Sequence, residues 1–301
     1  MTKIGYLGGG NMAQAMVKRL LAAGHDVTLY NRTLDKVRNL EALGAKLART
    51  PREAAEGAEM VFASVTDDAA SRTVWTGPDG ALSANLAPGA LIVEHSTMSH
   101  DWVLELCRIV REKGLRYVDC PVAGRPDAAA AGQLAVFVGA DKEDLEKIRP
   151  LVTPLSKEIF HFGAPGTGTA FKLIYNVLGV VQIVGLAEAL SAAEAAGIDL
   201  RTAAQALANG NTGSGHVRKH GPFMAENEHE DPPGFTAAGR IKDLTYGIGL
   251  EEALGEDPVM GRAALGAYQK MVDLGMAKAA DSMIIDAVRE RRKGAKQLQK
   301  A

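Results

Sequence analysis

Short apolar runs alternate with stretches of helical periodicity through the first half of the chain, and the second half keeps only the helical pattern. Runs rich in β-branched and aromatic residues predict strands over residues 3–7, 25–31, 60–65, 90–95, 116–122, 134–140 and 159–163. Helical segments separate them, the first over residues 12–21. Such alternation predicts an α/β fold with a doubly wound parallel sheet of the Rossmann type. Beyond Gly168 the strand pattern stops, and Ala- and Leu-rich segments predict an all-α C-terminal domain. The change falls in HFGAPGTGTA, which sets the expected domains at 1–163 and 164–301, the second opening on a long interdomain helix. The apolar stretch 177–196 is interrupted by Gln182, Glu188 and Glu194, so it reads as a buried helix and not a membrane span. The terminal RERRKGAKQLQKA reads as a frayed, solvated helix end.

Composition narrows the function classes. A formal charge of −2 argues against a nucleic-acid binder, which needs a strongly basic face. Cys107 and Cys120 are too few for a disulfide scaffold, so a reducing, cytoplasmic setting is expected. The first strand pattern starts at Lys3, and no leader peptide is expected ahead of it. His216 and His220 stand at i, i+4 and would make half a metal site, but no carboxylate or cysteine motif completes it. His229, among Glu228, Glu230 and Asp231, reads as part of a solvated loop. No metal is expected.

The stretch GYLGGGNMA carries the first chemical signal. Gly8, Gly10 and Ala13 occupy the three small positions of a G-x-G-x-x-G/A turn between strand and helix. The first permits a tight turn, the second lets a pyrophosphate approach the backbone, and the third lets helix and strand pack closely. Main-chain amides of Asn11, Met12 and Ala13 at the helix start would then face the phosphates. A purely structural glycine turn is the plain alternative. After the second strand the sequence reads VTLYNRTLDK. A protein selecting NAD usually has an acid there for the ribose 2′-hydroxyl. Here Asn31, Arg32 and Thr33 follow, with Lys36 a turn later, a set suited to a 2′-phosphate. NADP(H) is therefore expected over NAD(H), against the alternative that Arg32 is only a solvated loop residue.

In GTGTAFKLIYN, Lys172 and Asn176 are spaced i, i+4 on one face, among Phe171, Leu173, Ile174 and Val177. A lysine in apolar surroundings needs a partner or a task, unless it snorkels to the helix edge.

Read together with the glycine loop, EHSTMSHD, DCPVAGRPDAAAAGQL, GTGTAFKLIYN and GFTAAGRIKDL resemble the β-hydroxyacid dehydrogenase family, which includes 3-hydroxyisobutyrate dehydrogenase. The resemblance runs from residue 3 to about residue 288. It implies a Rossmann domain, a helical domain and an active site in the cleft between them. Lys172 matches the catalytic lysine, which protonates the substrate oxygen during carbonyl reduction and acts as general base in reverse. Burial should lower the pKa of such a lysine for that second role. Asn176 matches the asparagine that positions lysine and substrate. Ser96 and Thr97 would lie near the nicotinamide ribose and the substrate, and Ser64 and Val65 would contact the cofactor. Lys242 matches a lysine that reaches the cofactor, with a solvated lysine as its plain alternative, and Asp243 would fix its helix. Homodimers or homotetramers are implied, and the excess apolar surface of the long helix agrees.

Two departures from the family pattern bear on the substrate. Where the family loop reads D-x-P-V-S-G-G, this chain reads D-C-P-V-A-G-R, with Ala123, Gly124 and Arg125 at the substrate positions. The tandem asparagines become Tyr175-Asn176. Losing one neutral hydrogen bond costs only about 1 kcal/mol. Arg125 either replaces the lost hydroxyl as a bidentate carboxylate anchor, or points to solvent in an enzyme whose substrate has no carboxylate there. The expected activity is NADP(H)-dependent interconversion of a small aldehyde or ketone, an oxo acid above all, and its β-hydroxy acid or alcohol. Imine reduction, with Tyr175 as proton donor, is the alternative. A non-catalytic dinucleotide-binding module is a third reading, disfavoured by Lys172 and Asn176.

Overall fold

The computed structural model describes residues 1–298 and divides into two compact units that meet in sequence at Lys172 and Leu173. That division falls nine residues beyond the expected 163/164 boundary. The first turns of the long helix belong to the sheet unit.

The first unit contains β1 (Lys3–Leu7), β2 (Asp26–Tyr30), β3 (Lys46–Ala48), β4 (Met60–Ala63), β5 (Leu91–Glu94), β6 (Arg116–Asp119), β7 (Val122–Ala123), β8 (Leu134–Gly139) and β9 (Ser156–Gly163). Its helices are α1 (Asn11–Ala22), α2 (Pro51–Ala55), α3 (Asp68–Thr76), α4 (His100–Glu112), α5 (Pro126–Ala131) and α6 (Lys142–Val152), followed by the start of α7 (Thr167–Ala195). The first six strands are all parallel, in the order β3-β2-β1-β4-β5-β6. That is the Rossmann order. Side chains alternate between two cores across the sheet. Ile4, Tyr6, Phe62, Leu91 and Val93 pack on one face, and Leu7, Val61, Ala63 and Ile92 on the other.

Three details correct the strand reading. β3 is only three residues long, KLA, too short to give a periodic signal. The single strand expected over 116–122 breaks into β6 and β7 at Pro121, which has no N–H to donate to a ladder. The expected all-parallel sheet is mixed beyond β6, since β8 runs antiparallel to β6 and β7 and parallel to β9.

The second unit is all-helical: the rest of α7, then α8 (Leu200–Asn209), α9 (Gly215–Glu226), α10 (Ala237–Ala253), α11 (Val259–Asp273) and α12 (Ile284–Leu298). Among the described residues α7 is the one helix long and apolar enough to cross a membrane. Its Val177, Val180, Ile183, Val184, Ala187 and Leu190 form one wall of the helical core. The start of the stretch expected to be solvated is tied down. Arg289 and Arg292 both bind Glu194 near the end of α7, at 3.0 and 2.8 Å. Residues 299–301 of that stretch lie outside the described residues.

His95, just past β5, is buried and stacks on Phe62 with ring centroids 5.1 Å apart. Its Nδ1–H donates to the Cys120 carbonyl at 2.6 Å. Burial pushes its pKa from 6.5 down to about 4. The neutral ring therefore stabilises the fold fully above pH 6.5, and that contribution is lost as pH falls toward 4. Between pH 7.5 and 4.5 the first unit of the wild type should lose roughly 2–3 kcal/mol more stability than a His95→Gln variant. Urea unfolding followed by tryptophan emission tests this, since Trp75 and Trp102 are both buried in that unit. Equal losses in the two proteins would refute it.

Candidate functional site

The glycine loop fits an anionic ligand, and each glycine has its own reason. Gly8 ends β1 with φ of +107°, donates its N–H to the Tyr30 carbonyl at 2.8 Å, and would drive a Cβ into the Ser64 carbonyl. Gly9, unremarked in the sequence pattern, has no room for a Cβ either, because Val37 packs against it. Gly10 faces open space and begins α1 without a side-chain cap. The N–H groups of Asn11, Met12 and Ala13 lie in the first turn, which has no intrahelical acceptors for them. Ala13 is buried in the core, as close helix–strand packing requires. A pyrophosphate suits this cradle in charge and in space.

Asn31, expected to meet the cofactor, also has a structural tie. Its side-chain oxygen accepts from the Gly9 N–H at 3.1 Å, and its amide donates to the Thr33 carbonyl at 2.6 Å. It ties the glycine loop to the loop after β2. Arg32, Thr33 and Lys36 are exposed on that second loop.

At the ends of β4 and β5 a buried network holds the residues expected to meet the cofactor. The Val65 N–H donates to Ser96 Oγ at 2.8 Å, and the Ser96 N–H to Glu94 at 3.0 Å. Glu94 also accepts from Ser71 and from Trp75 Nε1, at 2.7 and 2.8 Å. Burial holds its carboxyl above the ordinary range. Sequence reasoning missed this acid, although a glutamate inside the apolar run ALIVEH was a legible signal. Ser64, Val65 and Thr97 are half-buried beside the network.

In the loop expected to meet the substrate, Ala123 ends β7, and Gly124 takes φ of +144° where Leu134 would meet a Cβ. Arg125 begins α5, with its Nε 3.5 Å from Asp127.

The start of α7 is held by Asp119, which the sequence reading left without a role. Its fully buried carboxylate accepts from the N–H groups of Gly166 and Thr169, at 2.5 and 2.6 Å. Burial still pushes its pKa up to about 6. Gly139 and Gly168 let backbones touch at this point: a Cβ on Gly168 would lie 2.6 Å from both Gly139 N and Phe137 O. This contact is why the first unit extends to Lys172. One turn past Thr169, Lys172 is 8% exposed, and Asn176 follows at 6%. Asn176 donates its amide to Asp243 at 2.9 Å, and the other Asp243 oxygen lies 3.1 Å from Lys242 Nζ. Tyr175 is 41% exposed, and Ile174 and Leu178 are exposed with it. The i, i+4 pair His216 and His220 packs within the helical unit. His216 packs where Gly179 has no Cβ, and buried His220 sits 3.6 Å from Asp281, whose carboxylate also binds Arg240.

Residues 3–163 match the NAD-binding domain of 6-phosphogluconate dehydrogenase, and residues 166–288 match the NAD-binding segment of NADP-dependent 3-hydroxyisobutyrate dehydrogenase. The chain belongs to the β-hydroxyacid dehydrogenase family. It is 32% identical over 289 residues to the NAD-dependent L-serine dehydrogenase of Pseudomonas aeruginosa, covering 94% of this chain and 97% of that one. A solved 3-hydroxyisobutyrate dehydrogenase of Mycobacterium tuberculosis, with L-serine, matches at TM-score 0.87 and 29% identity over 96% of this chain and 99% of that chain. An imine reductase of Streptomyces aurantiacus shares the fold, at TM-score 0.63 and 23% identity over 95% and 99%. This enzyme is an NAD(P)-dependent oxidoreductase acting on hydroxyl or carbonyl carbon.

Gly10→Ala separates the loop's two demands. It should cost the fold no more than about 1 kcal/mol, the usual scale for an N-cap change, because the space beside Gly10 is open. Dinucleotide affinity, measured by quenching of tryptophan emission, should fall at least tenfold. Unchanged affinity would refute the pyrophosphate assignment.

Proposed function

We propose that this dehydrogenase uses NADP(H) to interconvert a small oxo acid and its β-hydroxy acid, with Lys172 as general acid and base. The observation that carries the reading is a buried lysine one helical turn from an asparagine whose amide is already committed to Asp243. A buried ammonium is costly without acceptors. Because Asn176 turns its NH₂ to Asp243, its carbonyl oxygen is left to orient the Lys172 ammonium or a substrate hydroxyl. In reduction Lys172 donates a proton to the substrate oxygen; in oxidation it removes the hydroxyl proton. The nicotinamide supplies or accepts the hydride when bound. Gly8, Gly10 and the amides of Asn11, Met12 and Ala13 would hold its pyrophosphate, with Ser64, Val65, Ser96 and Thr97 toward the nicotinamide side; the family match adds Lys242 as a cofactor contact. Exposed Arg32, Thr33 and Lys36, with no acid at the end of β2, support a 2′-phosphate.

Arg125 supports a carboxylate substrate, because a guanidinium fork suits bidentate binding of a carboxylate. A buried lysine, suited to protonate oxygen, supports carbonyl over imine chemistry. A soluble, cytoplasmic homo-oligomer fits the free cysteines and the exposed apolar stripe of Ile174, Tyr175 and Leu178.

Cofactor reduction with L-serine and 3-hydroxyisobutyrate, and NADPH consumption with succinic semialdehyde, test the reading. Lys172→Ala should lower kcat at least a thousandfold while cofactor Kd stays within twofold. Near-normal turnover would refute the role. Arg125→Ala should raise KM for the oxo acid at least tenfold and leave KM for an uncharged aldehyde unchanged. Equal effects on both substrates would remove the carboxylate assignment. Arg32→Ala should narrow the ratio of NADPH to NADH efficiency, and an unmoved ratio would place the 2′-phosphate elsewhere.

A further inference from the structure

We infer that Asp119 is the positioning residue of the lysine: by pinning the first turn of α7 to the end of β6, it fixes where the Lys172 ammonium stands. The inference rests on the function proposed above. Most side-chain caps in this chain come from the residue just before the helix, as with Asp67 for α3, Ser99 for α4 and Asp199 for α8. A local cap satisfies a helix start but travels with it. Asp119 lies 47 and 50 residues upstream of the two N–H groups it accepts, on a strand at the edge of the parallel sheet. Its carboxylate therefore fixes α7 to the sheet that also carries the glycine loop.

The anchor is rigid and close to the chemistry. Asp119 is 0% exposed, and each of its oxygens takes one N–H. Gly139 and Gly168 exclude side chains there, so the helix start is in backbone contact with β8 and has little freedom to slide. Lys172 follows Thr169 by three residues, on the same side of the next turn. A displacement of about 1 Å in a reacting group costs up to about a hundredfold in rate. Asparagine at position 119 keeps one acceptor and turns an NH₂ toward the second N–H, and alanine keeps none.

The test compares full-length wild type, Asp119→Asn and Asp119→Ala. Hydrogen exchange over residues 166–172 should quicken in both variants. Turnover per molecule of NADPH bound should fall at least tenfold in Asp119→Asn and further in Asp119→Ala, with NADPH Kd within twofold. The solvent deuterium effect on kcat should rise, because proton transfer from a misplaced lysine becomes slower than the other steps. Simple loss of folded protein moves neither turnover per bound cofactor nor the isotope effect. Gly168→Ala moves the same turn without touching the carboxylate, should reproduce both changes, and serves if Asp119→Ala does not fold. A wild type inactive toward every hydroxy or oxo acid refutes the proposed function. An active wild type whose Asp119→Asn variant keeps its turnover per bound cofactor and its isotope effect refutes the positioning role alone.

Discussion

The carboxylate of Asp119 is removed from water and receives two main-chain N–H groups from the start of α7. Burying a charge of that kind costs several kcal/mol unless strong bonds answer it. Two charge-assisted bonds and the positive end of a long helix do so, although a pKa pushed up to about 6 shows that the answer is incomplete. Because both donors belong to α7, satisfying the buried charge and placing the helix are one event. The glycines at 139 and 168 follow from it, since the bonds form only if two backbones touch. So does the extent of the first unit, which takes in the helix as far as Lys172.

The same problem, unanswered N–H groups at a helix start, is treated in the opposite way at α1. There the preceding residue is Gly10, which offers no cap and leaves open space beside it. The loop around it is not loose. Gly8 is fixed by its positive φ, Gly9 by Val37, and Asn31 binds the loop from outside. A rigid loop presenting bare amides is pre-organised for an anion, whereas α7, filled by Asp119, has no such vacancy at its start. Helix dipoles alone do not distinguish the two; the supply of an internal carboxylate does.

Much of this was legible in sequence, and the misses share a cause. Strand alternation and the glycine turn are local patterns, so the six parallel strands apart from β3 and the cradle could be read directly. What could not be read depends on partners far along the chain. Asp119 is one letter in a loop motif until Gly166 and Thr169 arrive beside it. Asn31 faces the glycine loop only because β2 lies beside β1. The basic end of the chain looked solvated because Glu194 is nearly a hundred residues away, with a separation of 95 to Arg289. Pro121 was visible, and the break it makes in the strand follows from its missing N–H.

The polar side of α7 has an internal logic of its own. Asp243 is buried on α10, and one of its oxygens is met by Lys242. The other faces α7 and requires a donor there. An aspartate at position 176 would set two carboxylates together in a dry place, and a leucine would leave the second oxygen unanswered, a loss of about 1–3 kcal/mol. Asparagine donates with one end and accepts with the other, so the demand made by Asp243 also decides which end points away from it. An acceptor is then presented one turn from Lys172, the polarity an ammonium or a substrate hydroxyl needs. A stability requirement inside the helical unit thus orients the group most useful to the proposed chemistry.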